Sequence, residues 1–415
     1  MAFEIRYVGT NSNNLTKGIN LNQIDVLSNG FLADFRRAQS NFGLTGTAFC
    51  NPATVTGCQA LTLFRNTATG TPPLRVGTGV ATATFNNNLL LGTVADLAQL
   101  FVSNNLNNHP TLASPTNVPF VNFYQNPNIG QIEYFTNDGN YNYNSLQFEV
   151  RRRFSKGLYL QGNYTFSKNL TNTIGTGQAN FEPFLQNNNR DLDKQRADFD
   201  QTHTINFNGI YQLPFGKGKP FLNTSGLLDK FIGGWEIAGL FQWGTGSPIT
   251  FVDGLGTLNR GTFSGRQTPL SSLTNDQIRA LTGIFERDGR IFFINPSVIN
   301  STFRGSEGPI NAASPTGSAP FAGQVFFNVP AGSTSGIGRT LINGPRTYNV
   351  NTAVLKNIRF GETIRVQLRG EAFNLFNNTN LFNNTQFSNI RSTTFGQITS
   401  AGAARILQFA FRFEF

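Results

Sequence analysis

Apolar and polar residues alternate with period two in eight separate stretches of the chain, as in β-strands whose two faces meet different surroundings. The last stretch is the clearest. Leu407, Phe409, Phe411, Phe413 and Phe415 fall on one face; Gln408, Ala410, Arg412 and Glu414 fall on the other. In Thr363 to Phe373, the residues Ile364, Val366, Leu368, Gly370 and Ala372 oppose Arg365, Gln367, Arg369 and Glu371. Three charges on one strand face argue against a dry core there.

The same alternation runs through Phe3, Ile5 and Tyr7, through Leu146, Phe148 and Val150, and through Leu158, Leu160, Gly162, Tyr164 and Phe166. It returns in Ile205, Phe207, Gly209, Tyr211 and Leu213, and in Trp235, Ile237, Gly239, Phe241 and Trp243. Tyr348, Val350, Thr352 and Val354 mark a less regular eighth strand.

Connection lengths alternate as well. Ser155-Lys156-Gly157 and Gly361-Glu362 are tight, and Phe215 to Ile232 is intermediate. The links from about Thr10 to Asn140, Asn169 to Phe199, Ser247 to Pro345 and Leu375 to Ala404 are long. Short turns therefore fall at one end of the strands and long loops at the other. Loops of that length count against a compact soluble sandwich. They suit a transmembrane β-barrel, which has short periplasmic turns, long extracellular loops, an apolar outer band and a polar lumen. Trp235 and Trp243 lie on the apolar face eight positions apart, about 26 Å along a strand at ~3.3 Å per residue. With a tilt of ~40° this becomes roughly 20 Å of height, near the spacing of two aromatic girdles. Within the loops, Thr93 to Asp96 and Thr274 to Gln277 read as capped helix starts, and Gly30 to Gln39 as a short amphipathic helix.

Composition narrows the chemistry. Of 415 residues 13% are charged, with a net charge of +10, and there are 41 Phe but only 2 His and 2 Cys. Residue types that carry catalysis are scarce, so no enzyme activity, metal or cofactor is expected. No stretch reaches the ~18 to 20 apolar residues of a membrane-spanning helix; even Phe231 to Trp243 contains Glu236. The N-terminus alternates from its first residues, without a basic lead or apolar signal core, and so reads as the inside of a strand. Cys50 and Cys58 could close a small disulfide or remain two loop thiols. His203, near Asp198 and Asp200, shares parity with Ile205 and Phe207, which makes it an interfacial histidine rather than a ligand; His109 sits in a loop beside Pro110. Arg151 to Arg153 with Lys156, and Lys217 with Lys219, fit turns at a bilayer surface, and no nucleic-acid partner is expected. Gly244-Thr-Gly-Ser247 does not open a helix, so it is no phosphate loop.

Val366-Gln-Leu-Arg-Gly-Glu-Ala-Phe-Asn-Leu-Phe-Asn377, followed by a last strand closing at Phe415, resembles the end of a TonB-dependent outer-membrane receptor barrel, most closely the Oar-like subclass. The stretches 29–39, 146–157, 213–219 and 289–296 agree in order along the chain. The resemblance implies a 22-stranded barrel with an N-terminal plug, a TonB box and often a preceding carboxypeptidase-regulatory-like domain. About eight strands and none of those N-terminal parts are visible. The expectation is thus an all-β fold in which residues 1–415 are an antiparallel transmembrane β-barrel segment, with long extracellular loops at about 10–140 and 247–345 that carry short helices. Plug and TonB box are expected to be absent, so TonB would act only through the missing part. A closed eight-stranded barrel is the structural alternative; otherwise two strand edges stay unpaired in an open, curved sheet.

The resemblance also implies a cell outer membrane location in a Gram-negative bacterium, with lipid around the barrel. Phe415, with Phe413, Phe411 and Phe409, would be the signal read by the barrel-assembly machinery. Arg365, Gln367, Arg369 and Glu371 would face the lumen, and Trp235 and Trp243 would sit in the aromatic girdles. The function implied is import of a bulky nutrient of the siderophore, oligosaccharide or peptide class, captured first by the loops. The alternatives are a non-transporting binding or adhesion barrel and a secreted β-rich protein.

Overall fold

The computed structural model describes residues 1–66, 72–106, 120–173, 183–259, 267–306, 321–334, 336–361, 363–383 and 387–415. Each of the eight alternating stretches forms a long strand: β1 (Ala2–Asn20), β2 (Glu133–Ser155), β3 (Leu158–Thr171), β4 (His203–Gln212), β5 (Trp235–Gly244), β6 (Thr347–Phe360), β7 (Ile364–Phe373) and β8 (Ile406–Glu414). They pair antiparallel in chain order, with Gln195–Arg196 added beside β3. At the tight β2–β3 connection Lys156 has φ 50° and Gly157 φ 78°. Two successive positive φ values are what a two-residue hairpin turn needs to match strand twist.

The sheet is open. β1 and β8 each have one long-strand neighbour, and no ladder joins them among the described residues. Its first hairpin is longer than expected, since β1 runs to Asn20 and β2 begins at Glu133, which narrows the first long loop. Register slips between Ser12 and Lys17. Beyond that irregularity Lys17 to Ile19 are buried, whereas most of β1 before it is exposed. The slip therefore marks where the strand leaves the sheet proper and joins the loop structure.

Strand register puts Ile5, Phe148, Tyr164, Ile205 and Trp243 in one row, and Leu158, Tyr211, Ile237, Val354, Gly370 and Phe409 in another. These rows lie on the apolar face, which is not covered by protein: Phe3 is 75% and Phe409 81% exposed. Of the buried hydrophobic side chains among the described residues, only Ile19 belongs to the eight strands. A sandwich in water would bury one face of each sheet. Here the apolar side is left exposed.

The protein's own cores lie in the connections. Helices α1 (Phe31–Thr45), α2 (Thr82–Leu91) and α3 (Val94–Ser103) build a first module around Phe31, Phe35, Phe64, Phe85, Phe101 and Phe123. The Phe31 ring lies 4.8 Å from Phe123 and 5.4 Å from Phe64, edge to face in both cases. α1 extends past the Gln39 end expected from sequence, because Phe42 continues its apolar stripe to Gly46, whose φ of 73° terminates it. Thr93 precedes α3 without capping it; its hydroxyl donates instead to the Asn88 side chain at 2.6 Å. Cys50 and Cys58 are bonded in this module, their Cα atoms 6.0 Å apart.

A second module joins two connections distant in sequence. Phe251, Phe292 and Phe326 from the link before β6 pack with Phe387 and Phe395 from the link before β8. Its short sheet orders Thr282–Arg287, Arg290–Ile294, Gln397–Ala401 and Leu381–Asn383. α5 (Asn275–Ala280) begins with a complete capping box between Thr274 and Gln277. The remaining helix, α4 (Leu227–Ile232), lies at the opposite, short-turn end. No helix among the described residues is long and apolar enough to cross a membrane.

Candidate functional site

Two surfaces concentrate polar chemistry: the polar face of the sheet and a cleft in the loop end. On that face polar side chains bond to neighbours directly opposite, diagonally across the ladder or two positions along the same strand. Arg6 Nε donates to Gln147 Oε1 at 2.8 Å, and its Nη2 lies 3.6 Å from Glu149 Oε2. Gln161 Nε2 continues the row to Glu149 at 3.1 Å, and Asn206 donates to Asn163 at 3.1 Å. At the other edge Arg365 and Gln367 both donate to Asn357 Oδ1 at 2.9 Å, Arg369 pairs with Glu371, and Arg412 Nε pairs with Glu414 at 2.7 Å. Arg365, Gln367, Arg369 and Glu371 thus share the polar face. Alternation forces this, because a residue and its neighbours two positions away project to the same side.

Trp235 and Trp243 project from the other face. Trp235 is at the short-turn rim, with Lys356 Nζ 5.0 Å over its ring, and Trp243 pairs with Ile205 and Tyr348 toward the loops. Phe409, Phe411 and Phe413 align with Gly370, Leu368 and Val366 along β7. Phe415 ends the chain 94% exposed, its ring 5.8 Å from that of Phe413.

His203 meets aromatic neighbours. Its Nδ1 is 2.8 Å from the Tyr164 hydroxyl, and its ring lies 5.2 Å from Phe166. Asp200 is held elsewhere: it accepts from Arg196 Nε at 2.7 Å and from the Asn169 amide at 2.9 Å. No group of three or more His, Cys, Asp or Glu that could hold a metal occurs among the described residues. His109 lies outside those residues.

The cleft was not legible in the sequence. About 540 Å³ in volume, it opens between the first module, the 185–188 segment and Leu258–Asn259. Its walls are mainly amides, from Gln23, Asn29, Asn122, Gln125, Gln186, Asn187, Asn188 and Asn259, with Leu21, Leu27, Leu185 and Leu258 between them. Among the described residues Asp25 is its one charged side chain. Several amides are fixed: Gln23 Nε2 donates to the Phe184 carbonyl at 2.6 Å and Asn187 Nδ2 to the Asn20 carbonyl at 2.6 Å. The Asn run at 187–189 was a visible signal, but nothing local indicates that it faces residues 21–29 across the loop end. Such a wall offers donors and acceptors without net positive charge, so it suits an uncharged ligand better than a polyanion.

Asp253 is a buried carboxylate in the second module, 0% exposed. Its Oδ2 accepts the Val329 amide at 2.6 Å, and Asn328 Nδ2 donates to Oδ1. Burial pushes this carboxyl up from 3.8 to about 7, against the opposing pull of those hydrogen bonds and of Arg391. With the folded value above the unfolded one, the site is most stable below about pH 4 and loses stability as pH rises toward 7. Each unit of displacement is worth ~1.4 kcal/mol. Amide protection at Phe326 to Val329, that is exchange corrected for its base-catalysed intrinsic rate, is expected to fall between pH 4 and 7 in the parent and to stay level across that range in Asp253→Asn. Identical profiles in the two proteins would refute the assignment.

Residues 1–408 match the family described as "Outer membrane beta barrel domain". No curated protein and no solved structure gives a match.

Proposed function

The chain belongs to the outer membrane beta barrel domain family, and from that premise we propose that it is the barrel portion of a TonB-dependent transporter of the Oar-like kind, which imports a bulky nutrient. The observation that carries this reading is the loop end. Two packed modules with their own phenylalanine cores fill the loop end, and the first of them borders an amide-lined cleft. Ligand would be captured in the cleft and handed to the rows of Arg6, Glu149, Arg365, Arg369 and Glu371 on the inner face. On this reading the chain's role is binding and passage, not catalysis, and the coupling to TonB resides in a plug and TonB box carried outside these residues. Phe415 and the aromatic row behind it would serve the assembly machinery, which recognises an alternating final strand by edge pairing.

The test is accumulation of radiolabelled ferric siderophore, maltoheptaose and a neutral heptapeptide by cells carrying the chain with its plug. Uptake of one of them should collapse when the proton-motive force is discharged. Leu27→Trp, which fills the cleft, should weaken capture about tenfold, equivalent to ~1.4 kcal/mol. Saturable surface binding with no energy-dependent uptake would instead establish a binding or adhesion barrel. The exposed apolar rows speak against the third reading, a secreted soluble protein.

A further inference from the structure

The connection between β4 and β5 exposes Phe221, Leu222, Leu227, Leu228 and Phe231, and Leu227 and Phe231 are 74% and 75% exposed. No residue of α4 is buried. A six-residue helix is far below the length at which helices hold alone in water, and the described residues do not cover its apolar side. Its attachment shows on which side of the sheet it lies. Trp235 Nε1 donates to the Phe231 carbonyl at 3.0 Å, and Lys356 Nζ donates to the same carbonyl at 2.9 Å and to that of Gly233. Lys230 Nζ stands 4.2 Å over the Phe360 ring. By register Trp235, Lys356 and Phe360 all belong to the outward rows, with Ile237, Val354 and Phe411.

We propose that residues 214–234 form an interfacial anchor, with α4 lying in the headgroup and acyl boundary of the anionic phospholipid leaflet at the short-turn end. The inference rests on the chain's residence in the outer membrane. Position and charge select lipid as the occupant. The patch is continuous with the outward apolar band, and the connection carries Lys217, Lys219 and Lys230 against Asp229, three cations to one anion. Asp229 is engaged, since its carboxylate accepts the Lys217 amide. A helix with a basic rim and a leucine and phenylalanine face settles ~5–10 Å into such a boundary.

The experiment is spin-label accessibility of the full chain in phosphatidylethanolamine vesicles with and without phosphatidylglycerol. Cys50 and Cys58 are bonded to each other, so one introduced cysteine is labelled alone. Labels at Leu227→Cys and Phe231→Cys should meet oxygen more than a nickel chelate and should sit deeper when phosphatidylglycerol is present. Replacing Lys217, Lys219 and Lys230 together with Gln should abolish that lipid dependence. Phe411→Cys on β8 is the control. If its label reads as membrane-embedded while those on α4 read as aqueous, the anchor is wrong and the barrel stands. Labels on α4 that meet neither reagent would mean that a second copy or another protein covers the patch, which also overturns the proposal. An aqueous label at Phe411→Cys would sink the membrane reading first, and the anchor with it.

Discussion

Asp34→Ala is expected to unfold the first loop module while the eight-stranded sheet stays intact. Asp34 is fully buried in α1 and gathers donors from two directions. Arg37 Nη2 reaches it at 2.7 Å, and the backbone amides of Thr62, Leu63 and Phe64 reach it at 2.9, 2.9 and 3.1 Å. The carboxylate thereby fixes the 62–64 segment against the helix, and that segment carries Phe64 into the cluster of Phe31, Phe85 and Phe101. Alanine would leave three amides and a guanidinium without their acceptor. Removing one partner from a buried charged network typically costs ~3–5 kcal/mol. The three ring pairs of Phe64 together add ~1.5–4.5 kcal/mol at ~0.5–1.5 kcal/mol each, so the loss is large enough to offset them and release the segment. Amide exchange at Thr62 to Phe64 and protease sensitivity of residues 31–66 should rise sharply. Exchange in β4 and β5 should not change. Unaltered protection at Thr62 to Phe64 would show that the phenylalanine core is sufficient by itself.

Phe207→Arg is expected to destabilise the membrane-embedded protein by ~2–4 kcal/mol, the cost of a basic side chain on the lipid face near mid-height. Phe207 pairs with Phe241, two residues from the midpoint between Trp235 and Trp243, in the outward row that also holds Phe3 and Val150. Asn208→Arg, one position along the same strand, projects to the opposite face. Asn208 is half-buried there, and the change should cost ~1 kcal/mol, the centre of the range for point mutations and below the effect at Phe207. Urea unfolding of both variants in lipid vesicles measures the difference directly. Equal effects at the two positions would mean that the strand faces do not see different solvents, and the outward assignment of the apolar rows would fall.

How much was legible follows the range of the interactions involved. The eight long strands could be read because each needs only its own residues: Leu407 to Phe415 declares two faces whatever it pairs with. The amphipathic start of α1 and the capping box at Thr274 and Gln277 were visible for the same reason. Thr93 does not cap because its hydroxyl, which would have to accept an α3 amide, is turned toward Asn88 on α2, to which it donates. The polar-face position of Arg365, Gln367, Arg369 and Glu371 followed from parity, whereas the cleft did not. Gln23, Asn122 and Asn188 come together only when three connections fold over one another.

Sequence alone determined the period-two strands, the alternation of short and long connections and the side to which each strand residue projects, since all three are set by neighbours within a few positions. Tertiary structure decided the rest. The links before β6 and β8 share one core, Asp34 ties α1 to residues nearly thirty positions away, and α4 hangs on the outward side through Trp235 and Lys356. Those choices depend on contacts between segments far apart in the chain, whose complementary surfaces exist only after the sheet has brought the ends of its strands together.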